Sequence, residues 1–272
     1  MSETTRVFDE QDFAQGDILL LDGFGQTSTA PSYGIVINAD CDLANNKTDG
    51  VVAILPVYTF ERYLEAFWIP NHLDAELAKC VQSALKICGI PEAEGEALAL
   101  WLREADHLTA SSALIATHQL PTNKHRELHD TCRAISLLLS HQGFRAFQQF
   151  CQTQKDPRAY ARKQLDAARK SMGEGHFFLS EIAGQPEIGF VVRMRRILSL
   201  DAEDCFRNVA NLRASTSGSQ KTGARIARLS PAFKYRVSQL FAYQFSRIGL
   251  PDEVTALSAL AIDDLVARIE GV

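Results

Sequence analysis

The chain has 272 residues, 46% of them hydrophobic and 22% charged, with a net charge of −5. Such a length suits one large domain or two modest ones with a sizeable core, and the acidic balance excludes a chain that coats nucleic acid over its whole surface. No apolar run nears the roughly 18 residues that a membrane span needs, the N-terminus has no apolar leader segment, and six cysteines lie without CxxC spacing, so reduced thiols in a cytoplasm and no membrane are expected.

Residues 1–14 are polar apart from Phe8 and Phe13 and are expected to lie along the surface of the strands after them. Gly16-Asp17 reads as a turn feeding an apolar strand, Ile18 to Leu21. A loop of glycine and small polar residues runs from Asp22 to Pro31. Tyr33 to Asn38 is a second strand, β-branched at Ile35, Val36 and Ile37. Asn45 to Gly50 is a turn before a third strand, Val51 to Val57. Tyr58 to Trp68 fits either a strand or a helix.

The apolar period then becomes helical: Leu73, Leu77, Val81, Leu85 and Cys88 define a helix from His72 that Gly89 and Pro91 stop. Further helices are predicted over Pro91–Ala105, Asn123–Leu139, Gly143–Gln152 and, opened by the cap pair Asp156-Pro157, up to Met172. Strand character returns at His176–Leu179 and at Gly189–Leu200. Ala214 to Gln220 is linker-like. Ser230-Pro231 opens a helix to Ile248, and a last amphipathic helix spans Pro251–Ile269. No internal repeat is present.

Charge is uneven along this path. Residues 1–192 hold 16 Lys/Arg against 25 Asp/Glu, residues 193–247 hold 11 against 3, and residues 248–272 hold 1 against 5. Arg193, Arg195, Arg196, Lys221, Arg225 and Arg228 therefore form a candidate nucleic-acid surface, since alternate strand positions share a face and arginine suits phosphate. The alternative is that these arginines neutralise the acidic helices of the same chain.

Gly16-Asp17-Ile18, the strand Ile35-Val36-Ile37, the turn Asn45-Asn46-Lys47-Thr48 and Pro56 resemble the PemK/MazF family of toxin endoribonucleases over about 45 residues. The resemblance implies an SH3-like barrel. It makes Thr59 the nearest counterpart of the family's catalytic threonine, whereas the family's catalytic Arg-Pro is replaced by Ser32-Tyr33. Arg225–Pro231, Arg247–Pro251 and Asp40-Cys41-Asp42-Leu43 are similar to uncharacterised bacterial proteins linked with phage defence. The expected fold is thus α+β: a small SH3-like β-barrel (1–57 and 173–213) interrupted by a large helical insertion (58–172), with a linker and helical C-terminal cap (214–272).

Three constellations could carry chemistry. Asp40-Cys41-Asp42 follows a strand; like charge raises the pKa of a thiol between carboxylates, so Cys41 is a nucleophile only beside a metal or an arginine. The plainer reading buries Cys41 as a small hydrophobe and uses Asp40 and Asp42 to cap the turn. His176 is the histidine expected near Cys41. His125, His129 and Cys132 share one helix face at spacing that can bind zinc. No P-loop, GxSxG, HExxH or GxGxxG is present, and no cofactor is expected. These features favour a non-catalytic module of a bacterial defence or toxin–antitoxin-like system, with a protein partner and nucleic acid as its targets. An endoribonuclease and a metal- or small-ligand-binding regulator are the alternatives.

Overall fold

A computed structural model describes residues 2–25, 27, 29–140, 142–215, 220–246 and 260. The N-terminal part contains β1 (Thr4–Thr5), β2 (Asp17–Asp22), β3 (Tyr33–Val36), the short helix α1 (Asp40–Ala44) and the long strand β4 (Val51–Thr59). Helices follow: α2 (Phe60–Tyr63), a π-helical turn Leu64–Trp68, α3 (Ile69–Cys88), α4 (Gly95–Glu104), α5 (His107–Thr117), α6 (Thr122–Ser140), α7 (Gly143–Gln152) and α8 (Pro157–Ser171). The chain returns through β5 (His176–Leu179), β6 (Phe190–Arg193), β7 (Leu198–Asp201), β8 (Cys205–Phe206), α9 (Val209–Ala214), β9 (Thr222–Leu229) and α10 (Pro231–Ser246).

The strands form one curled, half-barrel sheet in the order β1-β9-β2-β3-β4-β6-β5. Its pairs are antiparallel except β8 with β9. The nine-residue β4 holds two returning strands on one edge: its end Val57–Thr59 pairs β6 and its start Val51–Ile54 pairs β7. Gly189–Leu200, expected as one strand, is therefore two. A turn at Met194-Arg195 lets the chain reach both halves of β4.

The larger correction concerns Thr222–Leu229. Local pattern predicts no strand between the linker and the helical cap, yet this segment is the strand between β1 and β2. The pattern Thr-Gly-Ala-Arg-Ile-Ala-Arg-Leu lacks alternation because both faces are covered, with Ala224, Arg225, Ala227 and Leu229 all buried. The predicted helix Pro251–Ile269 lies outside the described residues.

Two apolar clusters sandwich the sheet. Ile18, Ile35, Leu55, Val57, Phe190, Val192 and Ala227 pack on one face, beneath Val237, Leu240 and Phe241 of α10. Leu19, Leu21, Val36, Val52, Ile54 and Leu200 occupy the other, with Phe13 and Phe24. Each such aliphatic side chain contributes about 1.5–3 kcal/mol when fully buried.

Local signals explain the helices. Asp106 and Asp156 cap α5 and α8 by accepting from Thr109 N and Ala159 N, each at 3.0 Å. Gly89 ends α3 in the left-handed region at φ 67°. Helix α5, unforeseen in the sequence, rests on the Asp106 cap and on buried Ala110, Ser111 and Leu114. Leu85, Leu102, Leu114, Leu128 and Ile135 build one helical core, and Leu64, Ile69, Phe147, Phe150 and Ala168 a second. No helix among the described residues is long and apolar enough to cross a membrane.

Candidate functional site

The most polar interior point lies on β2. Asp17 is 0% exposed and accepts from three residues: Ala14 N at 2.9 Å, Arg225 Nη1 at 3.4 Å and Arg228 Nε at 2.5 Å. Arg225 also donates to the carbonyls of Phe8, Gln11 and Asp12, and its guanidinium lies 5.0 Å from the Phe13 ring. The network sews residues 8–14 onto the sheet. A bulge makes it. Asp17 faces Arg228 and Leu19 faces Arg225, with Ile226 as the extra residue, so two arginines of opposite parity reach the same face.

This placement revises the candidate nucleic-acid surface, whose six residues do not share one face. Arg225 is buried and Arg228 mostly so, both committed to Asp17. Arg193 stacks over Phe67 at 4.2 Å, and Arg195 donates to Gln244 of α10 at 3.0 Å. Lys221 lies 5.5 Å from the Phe24 ring. Arg195 lies in the turn after β6 and Arg196 just beyond it, so neither occupies a strand position.

The Asp40-Cys41-Asp42 cluster opens α1 rather than capping a turn, and Cys41 is exposed, which overturns its reading as a buried hydrophobe. Ala39 is the N-cap residue. Asp40 accepts from Gln15 N and from Lys234 Nζ, both at 2.8 Å, and so ties α1 to the segment leading into β2 and to α10. Desolvation pushes the Asp40 carboxyl up. The Lys234 hydrogen bond, the Gln15 amide and the charges of Lys234 and Arg228 outweigh it and hold the group below its ordinary value. The thiol of Cys41 faces Asp42 Oδ1 at 3.6 Å.

His176 is not near Cys41. It sits on β5, at the sheet edge, with β4 and β6 between it and the strand that leads to α1. Its Nδ1 bonds the Met172 carbonyl, and its Nε2 meets Tyr63 Oη at 3.2 Å. Burial depresses its pKa against the opposing effect of the Met172 bond, and Arg193 and Arg195 depress it further. Thr59 is an N-cap: its Oγ1 accepts from Arg62 N at 3.3 Å and starts α2. Threonine is among the residues favoured at such a cap.

The helical triad also fails to converge. His129 Nδ1 meets Ser111 Oγ at 2.5 Å and His125 Nε2 meets the Leu120 carbonyl at 2.9 Å. Burial pushes the Cys132 thiol up to about 12, with Cys88 adding to it, so the thiolate a metal needs is disfavoured. Among the described residues no group of three or more His, Cys, Asp or Glu could hold a metal ion.

The concave feature that sequence reasoning missed lies among the helices. A cleft of about 660 Å³ has an apolar lining of Pro70, Leu73, Leu77, Leu138 and Leu139 and a polar rim of Glu65, Asp74, Arg103 and Gln142. A second cavity shares Asp74 and Leu77 and extends along α3 past Val81 and Leu85 to Glu92 and Ala99 on the α4 side, making one groove. Glu65 belongs to the π-helical turn, whose extra residue per turn sets its carboxylate beside Gly143 at the start of α7. The ambiguous period of residues 58–68 is the trace of that turn in the sequence.

No family model matches the chain, and no curated protein or solved structure matches it.

Proposed function

We propose that this protein is a non-catalytic binding module that engages a protein partner through the groove along α3. The observation that carries the reading is an apolar-floored cleft of about 660 Å³ whose rim carboxylates, Glu65 and Asp74, have no ion pair among the described residues. Its volume falls within the range of ligand-binding clefts, and apolar floors with sparse polar rims are what partners dock on. The engagement of Thr59, His176 and Asp40 in caps and ties supports a role without catalysis.

In this reading the curled sheet is an SH3-like barrel of the PemK/MazF kind, and the helices of residues 58–172 are an insertion that carries the binding surface. The setting would be the cytoplasm of a bacterium, in a defence or toxin–antitoxin-like system. The test is a photo-crosslinking amino acid placed at Leu139, with Lys86 as a control position, in cells of the native host. A single adduct from Leu139 that vanishes in Glu65→Lys/Asp74→Lys supports the reading. Equal labelling from both positions, or rapid RNA cleavage abolished by Thr59→Ala, overturns it.

A further inference from the structure

Helix α8 carries a charge pattern that neither the fold nor the proposed groove uses. Its 15 residues include Arg158, Arg162, Lys163, Arg169 and Lys170 against one acid, Asp166. All five cations are exposed, and none has an ion pair or hydrogen bond to a described residue. Arg158, Arg162 and Arg169 fall at i, i+4 and i+11, one face of a helix. Lys163 and Lys170 lie further round on the side away from the packed stripe, with Asp166 between them and the arginine row. The stripe next to the arginine row, at Ala161, Leu165 and Ala168, packs into the second helical core, and all five cations lie on the part of α8 that this packing leaves exposed.

Beside this face lies a depression of about 530 Å³ with an apolar floor that includes Phe144, Phe147 and Leu165 and with polar groups from Arg158, Gln148, Gln149 and Gln152. A second cavity of about 410 Å³ shares Gln149 and Gln152 and adds Arg133 and His107. Arg133 is exposed and unpaired among the described residues. Gln149 Oε1 is buried without a hydrogen-bond partner among the described residues.

We infer that the exposed cationic face of α8, with the depression beside it whose polar groups are glutamines, is a contact surface for the phosphate backbone of nucleic acid. Five cations without an ion pair among the described residues, against one acid on the same helix in a chain of net charge −5, are a polyanion's footprint. Arg158 and Arg169 stand about 16 Å apart along the axis, the span of several phosphates at ~3.4 Å of rise per strand. The neighbouring amides supply donors and acceptors of the kind that read base edges, which an acidic peptide would not need. An anionic membrane fits less well: Ala159 and Ala167 are the apolar residues outside the packed side, and neither is large enough to insert.

The experiment titrates the full chain with fluorescently labelled mixed-sequence single-stranded RNA, single-stranded DNA and duplex DNA by anisotropy, across a salt series. Phosphatidylglycerol vesicles and a poly-glutamate peptide serve as competitors. Binding to at least one nucleic acid is expected, weakened about tenfold or more in Arg158→Gln/Arg162→Gln/Arg169→Gln. The slope of log affinity against log salt should flatten by about 2–3, as each lost phosphate contact removes about 0.7–0.9. Gln152→Ala should lower affinity and leave that slope unchanged. A charge-matched control, Lys47→Gln/Lys86→Gln/Arg213→Gln, should bind as the parent does; thermal melts confirm that every variant is folded. No binding at low salt, an equal loss in the control, or stronger binding to vesicles or poly-glutamate than to nucleic acid overturns the inference.

Discussion

Asp17 and Arg225 meet inside the protein with side chains 0% and 1% exposed, 208 residues apart in sequence. The contact joins the first full strand to the last, and Arg225 carries the N-terminal arm with it through three carbonyls. The network closes the sheet on its β1–β9 side, where an uncovered strand would otherwise offer unpaired amides.

Removing one partner of such a buried pair should be costly. Asp17→Ala is expected to destabilise the fold by about 3–5 kcal/mol, because two guanidinium groups lose their anion. Asp17→Ala/Arg225→Ala should cost less than the sum of the single changes. Urea melts of the four proteins check this; strict additivity would mean that the pair is not coupled.

Gly23 and Gly34 should respond differently to a methyl group. At Gly23, φ is +78° and a Cβ would lie 1.4 Å from the Gln220 carbonyl oxygen, so backbone must move. At Gly34 the Cβ would meet Ile54 Cδ1 at 2.7 Å, the end of a side chain that can rotate away. Gly23→Ala should lower stability by roughly 3 kcal/mol or more, and Gly34→Ala by about 1–3 kcal/mol. Comparable melting temperatures for the two variants would contradict the contrast.

His176 links stability to pH. Its folded pKa lies below the ordinary value, chiefly through burial. In the window between the folded value and the unfolded value of about 6.5, the unfolded chain binds more protons. The stability that neutral His176 supports is therefore present above pH ~6.5 and lost as pH falls through the folded pKa. His176→Gln should flatten that part of the stability–pH curve. His72, also depressed by burial, leaves a residual slope. An unchanged curve would show that His176 does not titrate differently on folding.

Cys41 and Thr59 test the roles assigned to them. Cys41 is exposed, so Cys41→Ser should change stability by less than about 0.5 kcal/mol. In the native protein its thiol should react with a mild alkylating reagent ahead of buried Cys88, Cys132 and Cys151. Peptide mapping after brief labelling decides that order. Thr59→Ala should cost about 1 kcal/mol, the loss of one N-cap, with partner binding falling no further than the folded fraction does.

Elements whose signals are strong and close together in the chain are legible in the amino-acid order. The apolar strands at β2, β3 and β4, the Asp156-Pro157 start of α8 and the Gly89 stop of α3 depend on neighbours within a turn or two. Even the pairing of residues 176–200 with β4 follows from the need of short strands for a shared core.

Packing settled the rest. β9 does not read as a strand because it is covered on both faces and carries a bulge, so its residues do not alternate. The same bulge turns Arg225 inward, and no local pattern can say which arginine of a basic segment will be neutralised from 208 residues away. The α3 groove is assembled from the π-helical turn, α3, α4, α6 and α7, whose shared surface exists only after they pack. The cations of α8 are plain in the sequence but average away within an acidic stretch of 192 residues. What made them a surface was the packing of Leu165 and Ala168, which chose the face left to water.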